Sequence, residues 1–342
     1  MCDMPIFLSL SLIAESATRA RAYGWGMDVL GDVLAVARVE AALMATFDAR
    51  APWGIELPAR RGASFHAVVA GTCWFTVEGA DPRQLAAGDL VLLPAGSRHE
   101  LSSEPGLPLR RFDEDLKRAL IRPDGELVLD GPGARTRILC AGYSYDTELT
   151  HPVLSLLPPV LHIASTQPEA GPWLRGLLDL LAHETHGAAT GSSTAAVRLL
   201  DVLLIHVVRA WLEAGDNDGV SLSWLRGLRD PLTAQALAVL HQRPDYDWTL
   251  NELAASVNVS RATLSRRFSQ HLGEPPLSYL TRWRLELAAR KLRETALPAA
   301  VIARQVGYTS EYAFNRAFTR ARGCPPGRYR RQTAPAAASP TA

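Results

Sequence analysis

The chain has 342 residues, 47% hydrophobic and 21% charged, with a formal net charge of +1. That balance describes an ordered globular protein, excludes a disordered or membrane-embedded one, and at this length allows two domains with room for a third small element. Cys2, Cys73, Cys140 and Cys324 stand far apart without a C-x-x-C pair. This spacing fits neither a zinc finger nor a secreted disulfide framework and suits a reducing cytoplasm.

In chain order, residues 1–26 read as a leader of doubtful structure, and their apolar stretch at 6–14 is too short to span a bilayer and lacks a basic flank. No other run approaches transmembrane length, so no membrane partner is expected. From about 53 to 145, short β-rich runs at 64–70, 73–78, 90–93, 126–129 and 137–143 alternate with Gly, Pro and Asp, the texture of an antiparallel sandwich or barrel. Helical periodicity follows at 172–184 and 194–213. Leu199, Leu200, Leu203, Leu204, Val207, Val208 and Trp211 form one broad stripe there, which requires the β domain or a second subunit as partner. The turn-rich stretch 214–219 (AGDNDG) marks the domain boundary, 231–241 is an apolar helix, and the Ala/Pro/Thr-rich tail from 332 reads as disordered. His183 and His186 read as a surface pair, and Trp173, Trp211 and Trp224 as core or subunit-contact residues.

Charge divides the chain. Residues 241–342 hold 16 Lys+Arg against 7 Asp+Glu, whereas residues 1–240 hold 20 against 28. Only the C-terminal third is therefore suited to a polyanion.

That third contains a duplication. Ser260/Ser310, Arg266/Arg316, Phe268/Phe318, Gly273/Gly323, Pro275/Pro325, Pro276/Pro326 and Tyr279/Tyr329 are identical pairs at a spacing of fifty. In the first copy, Thr249 and Glu252 form a capping box for a helix through Leu253, Ala254 and Val257, and Asn258 and Val259 turn the chain. Ser260 then caps a second helix with Leu264 and Phe268 inside and Arg261, Ala262, Ser265 and Arg266 outside. The second copy opens at Pro298, places Ile302, Ala303 and Val306 inward and turns at Gly307 and Tyr308. Ser310 caps a helix with Phe314 and Phe318 inside and Glu311, Tyr312, Asn315 and Arg316 outside. Between the copies, 276–293 reads as one long helix with Leu280, Trp283 and Leu287 inward and Arg282, Arg284, Arg290, Lys291 and Arg293 mostly solvated. Outward Arg and Asn suit bidentate reading of guanine and adenine, and Ser260, Ser310 and the helix N-termini suit phosphate contacts. Two such helices on one rod would enter successive major grooves about 34 Å apart.

The stretch 230–331, with WTLNELAASVNVSRATLSRRFSQHLGEPPLSYLTRWRLELAARKL (248–292) and VGYTSEYAFNRAFTRARGCPPGRYR (306–330), resembles the DNA-binding domain of AraC/XylS-family transcription regulators. The resemblance implies two helix-turn-helix modules joined by a helix. It implies base contacts at Ala262, Ser265, Arg266, Glu311, Asn315 and Arg316. Double-stranded DNA and RNA polymerase are the expected partners, a second copy of the chain is expected from the apolar stripe at 199–211, and the expected location is cytoplasmic, nucleoid-associated when DNA-bound.

Upstream, GDLVLLPAGSRH (88–99) carries every fixed residue of G-x5-P-x-G-x2-H, and FHAVVAG (65–71) precedes it without H-x-H or a correctly placed Glu. The first resembles the second cupin motif; the second resembles the end of the first motif and departs from its metal-binding pattern. Pro52-Trp53, Phe65 to Val68, Leu85 to His99 and Cys140-Ala141 further resemble the cupin-type sensor domain of one AraC-family branch, in which Met27-Asp28 would be the start. His66, His99 and Cys140, with Cys73 as a fourth member or disulfide partner, are the expected ligand, metal or redox pocket. Imidazole and thiolate suit zinc, and a thiol beside histidines suits a redox-active cysteine; the effector and any cofactor stay open.

The resulting expectation is an α+β chain: a leader at 1–26, a cupin-like antiparallel β-barrel at 27–165, a helical dimerisation region at 166–215, an all-α double helix-turn-helix domain at 228–331 and a disordered tail at 332–342. The function expected is a sequence-specific transcription regulator and not an enzyme. The alternatives are a cupin-type metalloenzyme carrying a DNA-binding module and a DNA-architectural protein.

Overall fold

The computed structural model describes residues 29–36, 40–122, 125–145, 154, 157–167, 171–186, 189–213 and 224–333. The leader at 1–26, the candidate start at Met27-Asp28, the linker at 214–219 and the tail from 334 lie outside the described residues. A helix, α1 (Val29–Val36), precedes a β domain of strands β1 (Glu40–Arg50), β2 (Gly54–Leu57), β3 (Ala63–Ala70), β4 (Thr72–Val77), β5 (Arg83–Ala86), β6 (Leu90–Leu93), β7 (His99–Ser102), β8 (Arg110–Arg111), β9 (Glu126–Leu129), β10 (Arg135–Ser144) and β11 (Leu161–Ile163). Between β8 and β9 lies the short helix α2 (Glu114–Leu120), capped by the Asp113 side chain.

The strands form two sheets, ordered β11-β6-β3-β10-β1-β9 and β5-β4-β7-β2-β8. Pairing is antiparallel except for β1 with β9 and β2 with β8, which run parallel. The expected α+β class holds. Within it, the β half is two facing sheets rather than a closed antiparallel barrel, because the strand order of each sheet ends in a parallel edge pair instead of returning on itself. Phe47, Val68 and Ile138 of the larger sheet meet Ile55, Phe75 and Leu101 of the smaller one in a buried layer. Alternation along each strand sends the intervening residues, Phe65, Leu139 and Tyr143 among them, to the opposite face.

That outer face is covered by α3 (Gly171–His186) and α4 (Ser192–Glu213). Leu200, Leu203, Leu204, Val207, Val208 and Trp211 of the expected stripe are buried, while Leu199 is half-buried. Its partner within the chain is the sheet, and Tyr143 Oη donates to the Leu200 carbonyl at 2.9 Å. Trp173 stacks on His206, and His183 is exposed. The side chains of His186 and Trp224 lie outside the described residues.

The C-terminal domain comprises α5 (Trp224–Arg229), α6 (Pro231–Gln242), α7 (Leu250–Ser256), α8 (Arg261–Leu272), α9 (Pro276–Glu294), α10 (Ala299–Gln305), α11 (Glu311–Arg322) and α12 (Pro326–Thr333). The last helix runs past the expected domain end at 331, to Thr333. The helix α1 docks onto this domain: Val29, Leu30, Val33 and Leu34 share one buried cluster with Leu237, Leu240 and Trp283. His241 lies at the centre of the contact. Its Nε2 is 2.7 Å from Tyr279 Oη, its Nδ1 is 3.3 Å from Asp32 Oδ2, and its ring stacks on Trp283 with centroids 4.1 Å apart.

Candidate nucleic-acid interface and ligand pocket

The two copies build the same motif by the same local devices. In the first, Thr249 Oγ1 accepts from the Glu252 amide at 3.2 Å while Glu252 Oε2 accepts from the Thr249 amide at 2.9 Å, the reciprocal box that starts α7. Asn258 turns the chain in the left-handed region at φ 56°, and Ser260 Oγ accepts from the Thr263 amide at 3.1 Å to start α8. In the second, Gly307 takes the turn at φ 88°, and Ser310 Oγ accepts from the Ala313 amide at 3.3 Å to start α11. Gly307 has no alternative, since a Cβ there would lie 2.8 Å from the Asp245 carbonyl oxygen and 2.9 Å from the Arg284 guanidinium. Left-handed Gly273 and Gly323 end both second helices. Phe268 meets Tyr279 edge-on at 5.8 Å, and Phe318 meets Tyr329 likewise at 5.4 Å.

Burying Leu264 and Phe268 leaves Ser260, Arg261, Ala262 and Arg266 exposed and Ser265 half-buried. Burying Phe314 and Phe318 leaves Ser310, Glu311, Tyr312 and Arg316 exposed and Asn315 half-buried, with Tyr312 73% exposed. Both second helices therefore present short polar and cationic faces, as a groove-reading element requires.

The connecting helix α9 departs from expectation. Its arginines read as mostly solvated, yet several of them fasten the modules to it. Arg284 donates from Nε to the Pro244 carbonyl at 2.6 Å and from Nη2 to the Tyr246 carbonyl at 2.7 Å. Arg282 pairs with Glu274, Arg290 with Glu294 at 3.0 Å, and Arg293 donates to Tyr329 Oη at 2.5 Å. Arg322 of α11 reaches back to Glu286 of α9, a pair whose side chains are only 4% and 5% exposed. The sequence period assigned these residues a helix face; the Arg290–Glu294 pair is local to α9, but the partners of Arg284, Arg293 and Arg322 lie 36 to 40 positions away in the chain, beyond what periodicity can reveal.

The pocket lies between the two sheets, a cavity of about 450 Å³ roofed by α2. Its walls are largely apolar, with Phe47, Ile55, Leu57, Phe112 and Leu127, and its polar residues include Arg60, Ser64, His66, His99 and Cys140. Register brings the polar group together: β3 and β10 set His66 directly opposite Cys140, and β7 begins at His99. His66 Nδ1 is 3.1 Å from Cys140 Sγ, and His66 Nε2 is 2.7 Å from His99 Nε2. His99 Nδ1 is 2.7 Å from the Ser97 carbonyl oxygen.

These contacts assign the protons. Burial holds both imidazoles below the ordinary value, with His66 further lowered by His99 and Arg60, so both rings are neutral near pH 7. A carbonyl oxygen only accepts, so His99 Nδ1 carries its proton and His99 Nε2 accepts. His66 Nε2 must then be the donor, which leaves its Nδ1 to accept from the Cys140 thiol. The chain Cys140 → His66 → His99 → Ser97 is closed and directional.

This arrangement bears on the metal and redox expectations. His66 spends its two nitrogens on different neighbours, so the three donors do not converge on one point. Among the described residues, no group of three or more His, Cys, Asp or Glu side chains is placed to hold an ion. The residues do not fit a cupin metal centre. Burial also pushes the thiol of Cys140 up to about 12, which disfavours the thiolate that oxidants and metals require. Cys73 does not line the cavity; it is fully buried in the layer between the sheets, its thiol likewise raised to about 12, because β4 turns it toward Leu85 and the core.

Comparison with known proteins agrees with this architecture. Residues 28–213 match the cupin family and residues 253–332 the helix-turn-helix domain family. The protein is a DNA-binding transcription regulator with a cupin domain. An AraC-like transcription regulator of Streptomyces antibioticus is 39% identical over 313 residues, covering 90% of this chain and 100% of that protein. The HTH-type transcriptional regulator AlkR of Acinetobacter baylyi is 30% identical over 293 residues, covering 82% and 92%. The chain belongs to the AraC family of transcription regulators. Among solved structures, the DNA-binding domain of AdpA in complex with a target DNA is 31% identical, covers 30% of this chain and 92% of its own, and superimposes with a TM-score of 0.29. No helix among the described residues is long and apolar enough to cross a membrane.

Proposed function

We propose that the cavity between the sheets is an effector site, and that its occupancy controls how the reading helices are presented to DNA. The carrying observation is one of continuity. Ala45 and Phe47 of β1 line the cavity, and β1 begins just after α1, which is docked on α6 and α9 of the DNA-binding domain through Leu237, Leu240, His241 and Trp283. A molecule that displaces β1 therefore acts on the element that touches the rod, and its differential affinity for two arrangements would shift their populations. The polar end of the cavity supports reception rather than catalysis, because its thiol and imidazoles are committed to one another.

Within this reading, Arg266, Arg316 and Asn315 carry base recognition, with Ser265, Ala262, Glu311, Arg261 and Tyr312 beside them and Ser260 and Ser310 at the phosphates. A second copy packs against the exposed side of α3 and α4, where Leu180 is 51% and Val202 40% exposed. The DNA-bound dimer acts on RNA polymerase in the cytoplasm.

Two measurements test this. Arg266→Ala with Arg316→Ala should abolish preference for operator over random DNA in a competition assay, and retained preference would refute the reading faces. Ala45→Phe, which fills the cavity, should leave operator affinity indifferent to any compound that changes it in the wild type. An unaltered response would refute the effector site.

A further inference from the structure

The two reading modules have separate cores on the rod that joins them. Leu264 and Phe268 of the first pack with Tyr279, Leu280 and Trp283 of α9 in one buried cluster, whereas Phe314 and Phe318 of the second pack with Leu285, Ala288 and Leu292 in another. At about 3.6 residues per turn, these two sets of α9 residues face roughly half a turn apart, so the modules sit on opposite sides of the helix. The clusters change over at Arg284, which stands between Trp283 and Leu285 and lies on the flank between the two faces.

From that flank Arg284 reaches both modules. It donates to the Pro244 carbonyl at 2.6 Å and the Tyr246 carbonyl at 2.7 Å, in the loop that leads into α7. The loop is fixed to the first module, because Tyr246 Oη donates to Glu252 of α7 at 3.1 Å and Trp248 Nε1 donates to the Arg243 carbonyl at 3.0 Å. The Arg284 guanidinium also lies against Gly307, the turn between α10 and α11, and the Asp245 carbonyl closes on the same turn. Loop, rod and turn therefore meet at one point, which the missing side chain of Gly307 leaves room for. Tyr308, next in the chain, packs edge-on against Phe314 of α11 at 5.4 Å, so a shift of the turn is passed to the second reading helix.

We propose that Arg284 and Gly307 form the joint that fixes the angle between α8 and α11, and that they thereby determine which half-site spacing the protein accepts without themselves touching a base. This assignment rests on the reading of α8 and α11 as the DNA-contacting helices and adds the geometry that relates them. Moving one half-site by a base pair displaces it about 3.4 Å along the duplex and rotates it by roughly a tenth of a turn. Two helices held at one angle cannot follow that movement; two helices on a loose joint can. An arginine suits the position because its planar fork gives directed N–H bonds to two carbonyls at once, which a lysine cannot reproduce. The pair of Glu286 with Arg322 holds the second module to the rod independently, so loss of Arg284 loosens that module without releasing it.

The test uses the full chain and a pool of duplexes with a randomised core of about thirty base pairs, long enough for two half-sites one turn apart. Sequencing the bound fraction should give two short base blocks at one dominant gap for the wild type. Duplexes built from those blocks, with one base pair inserted or removed between them, should bind the wild type about tenfold or more weakly, the loss of one bidentate base contact. Arg284→Met should select the same two blocks over several gaps and bind the shifted duplexes within a few-fold of the unshifted one, with Arg284→Lys intermediate. Gly307→Ala, which forces the Asp245 carbonyl away from the turn, should move or widen the gap with the first block unchanged. A wild type indifferent to the shift, or an Arg284→Met selection that loses the bases of one block, would overturn the joint. Both blocks at the wild-type gap in Arg284→Met would refute the joint and leave the reading faces standing, whereas no paired blocks in the wild type would remove both. If Arg284→Met fails to fold by circular dichroism, the gap distributions of Arg284→Lys and Gly307→Ala decide, and two unaltered distributions would refute the joint.

Discussion

Replacing Arg322 by Met should loosen the second helix-turn-helix module from α9. The side chains of Arg322 and Glu286 are 4% and 5% exposed, so removing one leaves the other charge with little access to water. Breaking such a buried pair costs about 3–5 kcal/mol. Two neighbours moderate the loss: Arg282 lies close enough to Glu286 to feel its charge, and Arg322 sits over the Tyr329 ring at 6.0 Å. The lower end, about 3 kcal/mol, is therefore expected. Because the chain has more than one cooperative unit, the cost is best read locally, as a fall in hydrogen-exchange protection of the α11 and α12 amides. The double variant Glu286→Met with Arg322→Met replaces both charges by flexible apolar chains and should lie within about 1 kcal/mol of the wild type. A double variant as damaged as Arg322→Met, or a single variant costing under about 1 kcal/mol, would refute the idea that a desolvated pair clamps the module.

Acid should destabilise the protein near neutrality. Burial holds His66, His99 and His241 below the ordinary imidazole value, so each binds its proton more readily when unfolded. Their contribution is complete above about pH 6.5 and declines as pH falls through that value toward the folded pKa values, so the melting temperature should drop between pH 7.5 and 5.5. A flat or rising profile would contradict the neutral assignments. Asp48 and Asp89, held below the usual carboxylate range, should add to the loss only below about pH 4. Ser260→Ala should cost about 1 kcal/mol by denaturant unfolding, and Ser310→Ala less, since its cap bond is longer at 3.3 Å against 3.1 Å. Asp32→Ala should shift exchange at α6 by under about 1 kcal/mol, because Asp32 is 43% exposed and only 3.3 Å from His241. Val33→Asp, which puts a carboxylate at a 7% exposed site, should release α1 and expose α6 to exchange; unchanged α6 protection would show that α1 is not docked in solution.

The reading domain was largely legible in the sequence because its signals are local. Thr249 with Glu252, Ser260, Ser310 and the two terminating glycines act within a few residues of their own helices, and duplication repeats the message. The β domain was legible in part. The second cupin motif and the strand at 126–129 could be read directly, but β1 was missed, since EAALMATFDAR is rich in helix formers and becomes a strand only through pairing with β10 and β9. Its helical neighbour α1 was missed for a related reason: eight residues carry too little periodicity, and its buried face is defined by α6 and α9, two hundred positions away. In the pocket, strand alternation placed His66 and Cys140 on one face, as the register of β3 and β10 has them, whereas Cys73 shares that inter-sheet layer but packs into its apolar part away from the cavity lining. Arg60 and Ser64 gave no sign of themselves. The position of Arg60 depends on a loop folding over a glycine eighty residues later, and only Gly142, an odd choice inside a long strand, hinted at it.

The inward commitments of the arginines in the C-terminal third carry a consequence for how the regulator meets a polyelectrolyte. Arg267, Arg282, Arg284, Arg290, Arg293, Arg322 and Arg330 are engaged by protein groups. Arg261, Arg266, Arg304, Arg316, Arg320, Arg328 and Arg331 are exposed without a partner among the described residues. If only those seven displace counterions, the logarithm of operator affinity should fall against the logarithm of salt concentration with a slope no steeper than about −6, where the full basic count of this region would give about −14. Much of the cationic endowment is thus girder rather than glove, and complexes of this protein should persist at ionic strengths that its raw composition would not suggest.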